Sequence, residues 1–195
     1  MAGDRAILYV AEPDGPVRTG PEGGGTVIRA VPTEDAAVET AVALVEGGVE
    51  TIELCGATGF PWAARVGAAV RGRARVGTVA FGFESLIDAA RFKERATAGE
   101  ALTTLFLYLQ EGADPAADRL ERPDGSSRAL FVAVPDPAAG AAVAAELAAE
   151  VQLIEVYGGF GPAGTAAVIE AVGGRVPVGA AVHSEPAPTA VPAGR

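Results

Sequence analysis

The chain has 195 residues, 49% of them apolar, with 26 Gly, 14 Pro, one Cys, one His and a formal net charge of −10. That is enough apolar material to fill a core in one domain or two small ones, and too much for a disordered chain. The negative balance argues against nucleic acid or an anionic membrane surface as partners. One Cys and one His exclude an internal disulfide and the usual zinc cage. No apolar run approaches the roughly 18 residues of a membrane span. The first residues lack a signal peptide's basic start and long apolar middle, so the expectation is a cytoplasmic protein.

In chain order, RAILYV from Arg5 reads as a buried strand, and 14–26, rich in Gly and Pro, as a loop. Val27 to Val31 is a further strand. Thr33 is placed to cap a helix running to Gly47, with Glu34 and Asp35 in its first turn. Thr51 to Leu54 is a strand, Trp62 to Arg73 a helix, and Arg75 to Gly82 a strand. Leu102, Leu105, Phe106 and Leu109 share one face at helical spacing, which predicts a helical connector from Glu84 to Glu111. That face would pack on the sheets or form a homodimer contact. Gly112 to Ser127 reads as a polar loop. Ala129 to Val134 is a strand, Asp136 caps an Ala-rich helix with Pro137 at its first position, and Leu153 to Tyr157 is a strand. Thr165 to Val172 is a helix and Val176 to Val182 the closing strand, before a Pro/Ala-rich tail without periodicity.

An internal repeat organises these elements. RAILYVAEPD at Arg5 returns as RALFVAVPD at Arg128, TIELCGATGFP at Thr51 as LIEVYGGFGP at Leu153, and RVGTVAFG at Arg75 as VPVGAAVHS at Val176. The predicted fold is α/β: two homologous β-α-β-α-β units with mainly parallel sheet, packed as one body. Their expected bounds are 1–83 and 128–184, with a helical connector and loop at 84–127 and a disordered tail at 185–195.

The repeat aligns Glu53 with Glu155, Cys55 with Tyr157, and Phe81 with His183. Ligands of open parallel sheets bind beyond the carboxyl ends of the strands, where these residues fall. A carboxylate inside an apolar strand is costly unless it is paired, solvated or functional. Glu155, Tyr157, His183 and Glu53 are therefore candidates for proton-transfer catalysis. The alternative is structural: each Glu pairs with an arginine such as Arg5 or Arg128, or binds loop amides. Cys55 and Gly56, with Gly158, Gly159, Phe160 and Gly161, are candidate ligand-binding residues. Gly159 to Gly164 matches G-x-G-x-x-G at the opening of a helix, a place for an anion. It follows the second strand of its unit and has no counterpart at Gly56 to Pro61, which disfavours a dinucleotide site. No G-K-[ST] follows Gly23 to Gly25, no metal-ligand spacing appears, and no cofactor is expected.

The segments Ile52-Glu53-Leu54-Cys55-Gly56, Phe160-Gly161 and Val176-Pro177-Val178-Gly179 resemble a family of small bacterial α/β proteins. Members carry a single unit with an Ile-Glu-Leu-Cys-Gly-Gly-Phe-Gly strand and turn and a Val-Pro-Val-Gly closing strand. Ala57-Thr58 and Val156-Tyr157 depart from that pattern. The resemblance implies the fold and a small-molecule site, and no reaction. Together these readings predict a protein that binds a small anionic metabolite at the strand ends, either as a metal-independent isomerase, lyase or cyclase, or as a binding or sensory module. An assembly protein is the third reading.

Overall fold

The computed structural model describes residues 3–21 and 24–183; the predicted disordered tail and Glu185 lie outside them. The chain runs β1 (Arg5–Val10), β2 (Val17–Thr19), β3 (Thr26–Val31), α1 (Glu34–Glu46), β4 (Thr51–Leu54), α2 (Gly59–Val70), β5 (Arg75–Phe81), α3 (Leu86–Thr97), β6 (Thr103–Leu109), β7 (Arg119–Asp124), β8 (Ser127–Val134), α4 (Pro137–Leu147), β9 (Leu153–Tyr157), α5 (Gly161–Val172) and β10 (Val178–His183). The strands form one mostly parallel sheet in the order β2-β3-β1-β4-β5-β10-β9-β6-β8-β7. The α/β class and the duplicated arrangement are as predicted.

The order reads the same from either end. β2 and β7 are antiparallel edges, and β5 and β10 join the halves as an antiparallel pair. The two halves therefore run in opposite directions, so the carboxyl ends of one half's strands lie at the amino ends of the other's.

Helix starts follow local chemistry. Thr33 Oγ1 accepts from the amide of Ala36, and the Asp136 carboxylate accepts from that of Ala139. These equivalent caps follow β3 and β8, so the true counterpart of RALFVAVPD is TVIRAVPTED at Thr26 and not RAILYVAEPD. Short apolar strands match many partners, whereas strand, proline and cap in succession match few.

Two further readings are corrected. Thr103–Leu109 is a central strand and no part of a helix. In TTLFLYL, β-branched and aromatic residues favour the pleated surface, and an unbroken apolar run satisfies either period. Leu105, Leu107 and Leu109 point to one face and Phe106 and Tyr108 to the other. The loops at 14–26 and 112–127 also hold the edge strands β2 and β7, so each half is built as β-β-β-α-β-α-β and the second begins at β6.

The sheet curls over its own inner face. Ile7, Tyr9, Cys55, Phe106, Tyr108, Phe131 and Tyr157 form one core drawn from both halves. The Tyr9 ring meets Phe131 at 5.0 Å, Phe106 stacks on Phe131 at 4.5 Å, and the edges meet at Arg122–Asp14, 2.9 Å apart. On the outer face, α1 and α2 cover Leu8, Ile52 and Leu54, while α4 and α5 cover Leu105, Ile154 and Val156. α3 differs from these four helices in having no buried residue.

Candidate functional site

Alternation along β4 and β9 sends Ile52, Leu54, Ile154 and Val156 outward beneath helices and turns Glu53 and Glu155 inward. Both carboxylates are buried, at 0% and 2% exposure. Glu53 stands beside Ile7 and Gly77, and Glu155 beside Phe106 and Gly179, so the registers make the two glutamates equivalent. The same registers match Arg5 with Thr104 and His183 with Phe81. The curl then makes each glutamate serve the opposite half. Glu53 Oε1 accepts from the amide of Gly158 at 3.0 Å, and Glu155 Oε1 from that of Gly56 at 3.0 Å. Each buried carboxylate thus holds the turn that follows the other's strand.

Beyond this shared bond the halves diverge. Glu53 is ion-paired: Arg5 Nε lies 3.2 Å from Oε2, and His183 Nε2 lies 3.0 Å from Oε1. Arg5 Nη1 also donates to the carbonyl of Leu109 at 2.9 Å. The ion-pair alternative therefore describes Glu53, and the loop-amide alternative describes both glutamates. Glu155 receives the Tyr157 hydroxyl on Oε2 and has no ion pair among the described residues. Arg128 instead pairs with Glu121 at 3.2 Å. Burial pushes the Glu155 carboxyl up to about 7, against the lowering effect of the Tyr157 hydroxyl and the Gly56 amide. Burial raises the Tyr157 hydroxyl well above the usual tyrosine range, and the neighbouring Glu155 charge adds to it. Burial likewise carries the Cys55 thiol to about 12, with the Glu155 charge again adding, which leaves it protonated and a poor nucleophile.

Glu155 faces a cavity of about 690 Å³ between α3 and the carboxyl ends of β1, β4 and β5. Tyr9, Phe81 and Phe106 give it apolar walls, and Cys55 and Gly56 lie in its lining. Its charged lining residues are Glu155, Lys93 and Arg128, the latter two exposed. The ammonium of Lys93, the only lysine in the chain, has no ion-pair partner among the described residues. Because the halves are antiparallel, the cavity on this second-half glutamate opens at the strand ends of the first half.

The expected trio of Glu155, Tyr157 and His183 divides. Tyr157 stays with Glu155, its ring stacked on Phe106 at 6.0 Å. His183 goes to Glu53, because the antiparallel pairing of β10 with β5 sets it opposite Gly77, which borders Glu53 in the sheet. A Cβ on Gly77 would come within 2.8 Å of the imidazole, so the glycine makes the ring's place.

The glycine turn after β9 also divides. Gly158, at φ 84°, gives its amide to Glu53, so that donor is taken. Gly159, Phe160 and Gly161 line a separate cavity of about 480 Å³ whose charged lining residues are Glu84 and Glu170. Two acidic groups and no cation make that place unsuited to an anion. Lys93, Arg128 and Thr104 were missed as site residues. Lys93 could have been found as the chain's single lysine on a helix of no obvious purpose; Thr104 was hidden by the misplaced repeat.

Among the described residues no cluster of three or more His, Cys, Asp and Glu is placed to hold a metal ion, and no helix is long and apolar enough to cross a membrane. No curated protein matches the chain. Residues 16–94 and 102–192 each match one and the same family model, the second match opening at the threshold of β6. The two matches cover most of the sequence and fall one on each half of the sheet, the first opening after β1, so the chain belongs to the family of unknown function DUF6506, as a tandem pair of its units.

Proposed function

We propose that the protein binds a small metabolite bearing an anionic group in the cavity over Glu155, and that Glu155 exchanges a proton with it. The observation that carries this reading is a carboxyl with no ion pair among the described residues, buried on the wall of an open cavity, where burial pushes it up to about 7. A group of that kind is half ionised at neutral pH and can both take and return a proton. Lys93 and Arg128 supply positive charge for the anionic group, and the aromatic walls exclude water from its apolar part. Tyr157 orients the carboxyl through Oε2 and the Gly56 amide through Oε1, and each oxygen keeps a further lone pair as an acceptor. The reaction class is proton transfer of the isomerase, lyase or cyclase kind.

Saturation-transfer NMR on a panel of small carboxylates and phosphates tests the reading. Binders should shift the amides of Cys55 and Gly56, and paired Lys93→Ala and Arg128→Ala changes should weaken them at least about tenfold. Deuterium uptake from solvent into a bound compound should vanish in Glu155→Gln while binding persists. Binding without any such uptake makes the protein a binding module. Binders that shift only the Gly159 to Gly161 turn contradict the site.

A further inference from the structure

The two halves offer an internal comparison at the level of single atoms. Arg5 and Thr104 are equivalent by register, as are Gly158 and Gly56, and Leu109 and Val10. In the first half the Arg5 guanidinium lies against Gly158, where an added Cβ would come within 2.7 Å of Nη1. It spans from Glu53 to the carbonyl of Leu109. In the second half the arginine is a threonine, and the equivalent volume is the cavity bounded by Thr104, Glu155, Gly56 and Val10. The carboxylate, the glycine amide that binds it and the strand-end position are all retained. The nitrogen cation is not.

We infer that the ligand of this cavity is a zwitterion, whose basic nitrogen takes at Glu155 the place that Arg5 fills at Glu53 and whose anionic group pairs with Lys93 and Arg128. This rests on the cavity over Glu155 being the ligand site, and it names the ligand class: a small amino, amidino or guanidino acid with a short apolar link. Arg5 is the chain's own copy of the nitrogen end, a planar N–H donor set against a buried carboxylate. A carboxylate shared between Tyr157, Gly56 and a ligand nitrogen would have a cation and a glycine amide, as Glu53 has in Arg5 and Gly158. The two cationic lining residues then meet the other end of the ligand and not the glutamate.

The test is calorimetric titration of the wild-type chain with guanidinoacetate and guanidinobutyrate, against butyrate as the anion alone and butylguanidinium as the cation alone. A guanidino acid should bind at least about tenfold tighter than either single-charge probe. Glu155→Gln should remove that preference, bringing the guanidino acids to within about twofold of butyrate measured on the same variant. Thr104→Arg, which restores the first-half arrangement, should abolish binding of the guanidino acids at an unaltered thermal midpoint. Butyrate as tight as the best guanidino acid overturns the zwitterion and leaves the anion site standing. Butylguanidinium as tight overturns the anionic half of the proposed function. No binding of any probe, with Gly56 unshifted by every member of the broader panel, overturns the site itself. The probe series uses the wild-type chain, so it decides the matter even where Thr104→Arg does not fold.

Discussion

Glu53 and Glu155 occupy equivalent positions and are stabilised by different means. At Glu53 the charge is compensated by the Arg5 guanidinium, with the His183 imidazole beside it, so the residue serves the fold. Removing one partner of a buried pair leaves an uncompensated charge, and Arg5→Ala should destabilise the protein by about 3 kcal/mol or more in urea unfolding. Exposed Lys93→Ala should change stability by less than about 0.5 kcal/mol. At Glu155, burial raises the folded-state pKa from 4.5 to about 7, so the folded protein holds a proton that the unfolded chain has already released. Its contribution is therefore fully favourable at acid pH and is lost as pH rises through that window. Glu155→Gln carries no such proton. The stability of the variant relative to wild type should rise between about pH 4.5 and 7 and level off above, by an amount on the order of 3 kcal/mol, measured by denaturant unfolding across pH. The groups that share this environment are Tyr157 and Cys55, both raised above neutrality, and the exposed Lys93 and Arg128 of the cavity lining. Tyr157 and Cys55 are both pushed above the window in which Glu155 titrates.

Among the elements, those with punctuation were legible in the sequence and those without it were not. Thr33 and Asp136 mark helix starts that the structure reproduces, because a capping side chain and a following proline or acidic turn are local chemistry. Glu53 and Glu155 were legible for the same kind of reason: charge inside an apolar strand is conspicuous. TTLFLYL was not, since an unbroken apolar run carries no period, and misreading it concealed both the true start of the second unit and the equivalence of Arg5 with Thr104. The exchange of carboxylates between halves depends on a curl that joins residues 105 and 99 positions apart, and nothing local encodes it. α3 is the element of lowest burial although it walls the cavity. Few buried contacts mean cheap local opening. Its amides should exchange with solvent at least about a hundredfold faster than those of β6 in hydrogen-exchange mass spectrometry, and a bound ligand should slow them. Equal protection of α3 and β6 would contradict the weak anchoring of this helix.

At the scale of the whole molecule, the two units are one folding body, since Tyr9, Cys55 and Ile7 of one half share a core with Phe106, Phe131 and Tyr157 of the other. Each half alone would expose this inner face and leave a buried glutamate without the glycine amide that binds it. Separately expressed halves, split between residues 99 and 102, should be unstable singly and recombine one to one by size-exclusion chromatography with light scattering. Stable monomeric halves would contradict the shared core. The same frame produces one filled site and one open site from equivalent parts, and the chemistry proposed for the protein resides in the open one. That claim is tested most directly by a carbon-detected NMR titration of the Glu155 carboxyl in the full chain. A midpoint of about 7 is the predicted result; a midpoint at the ordinary carboxylate value near 4.5 would contradict the account.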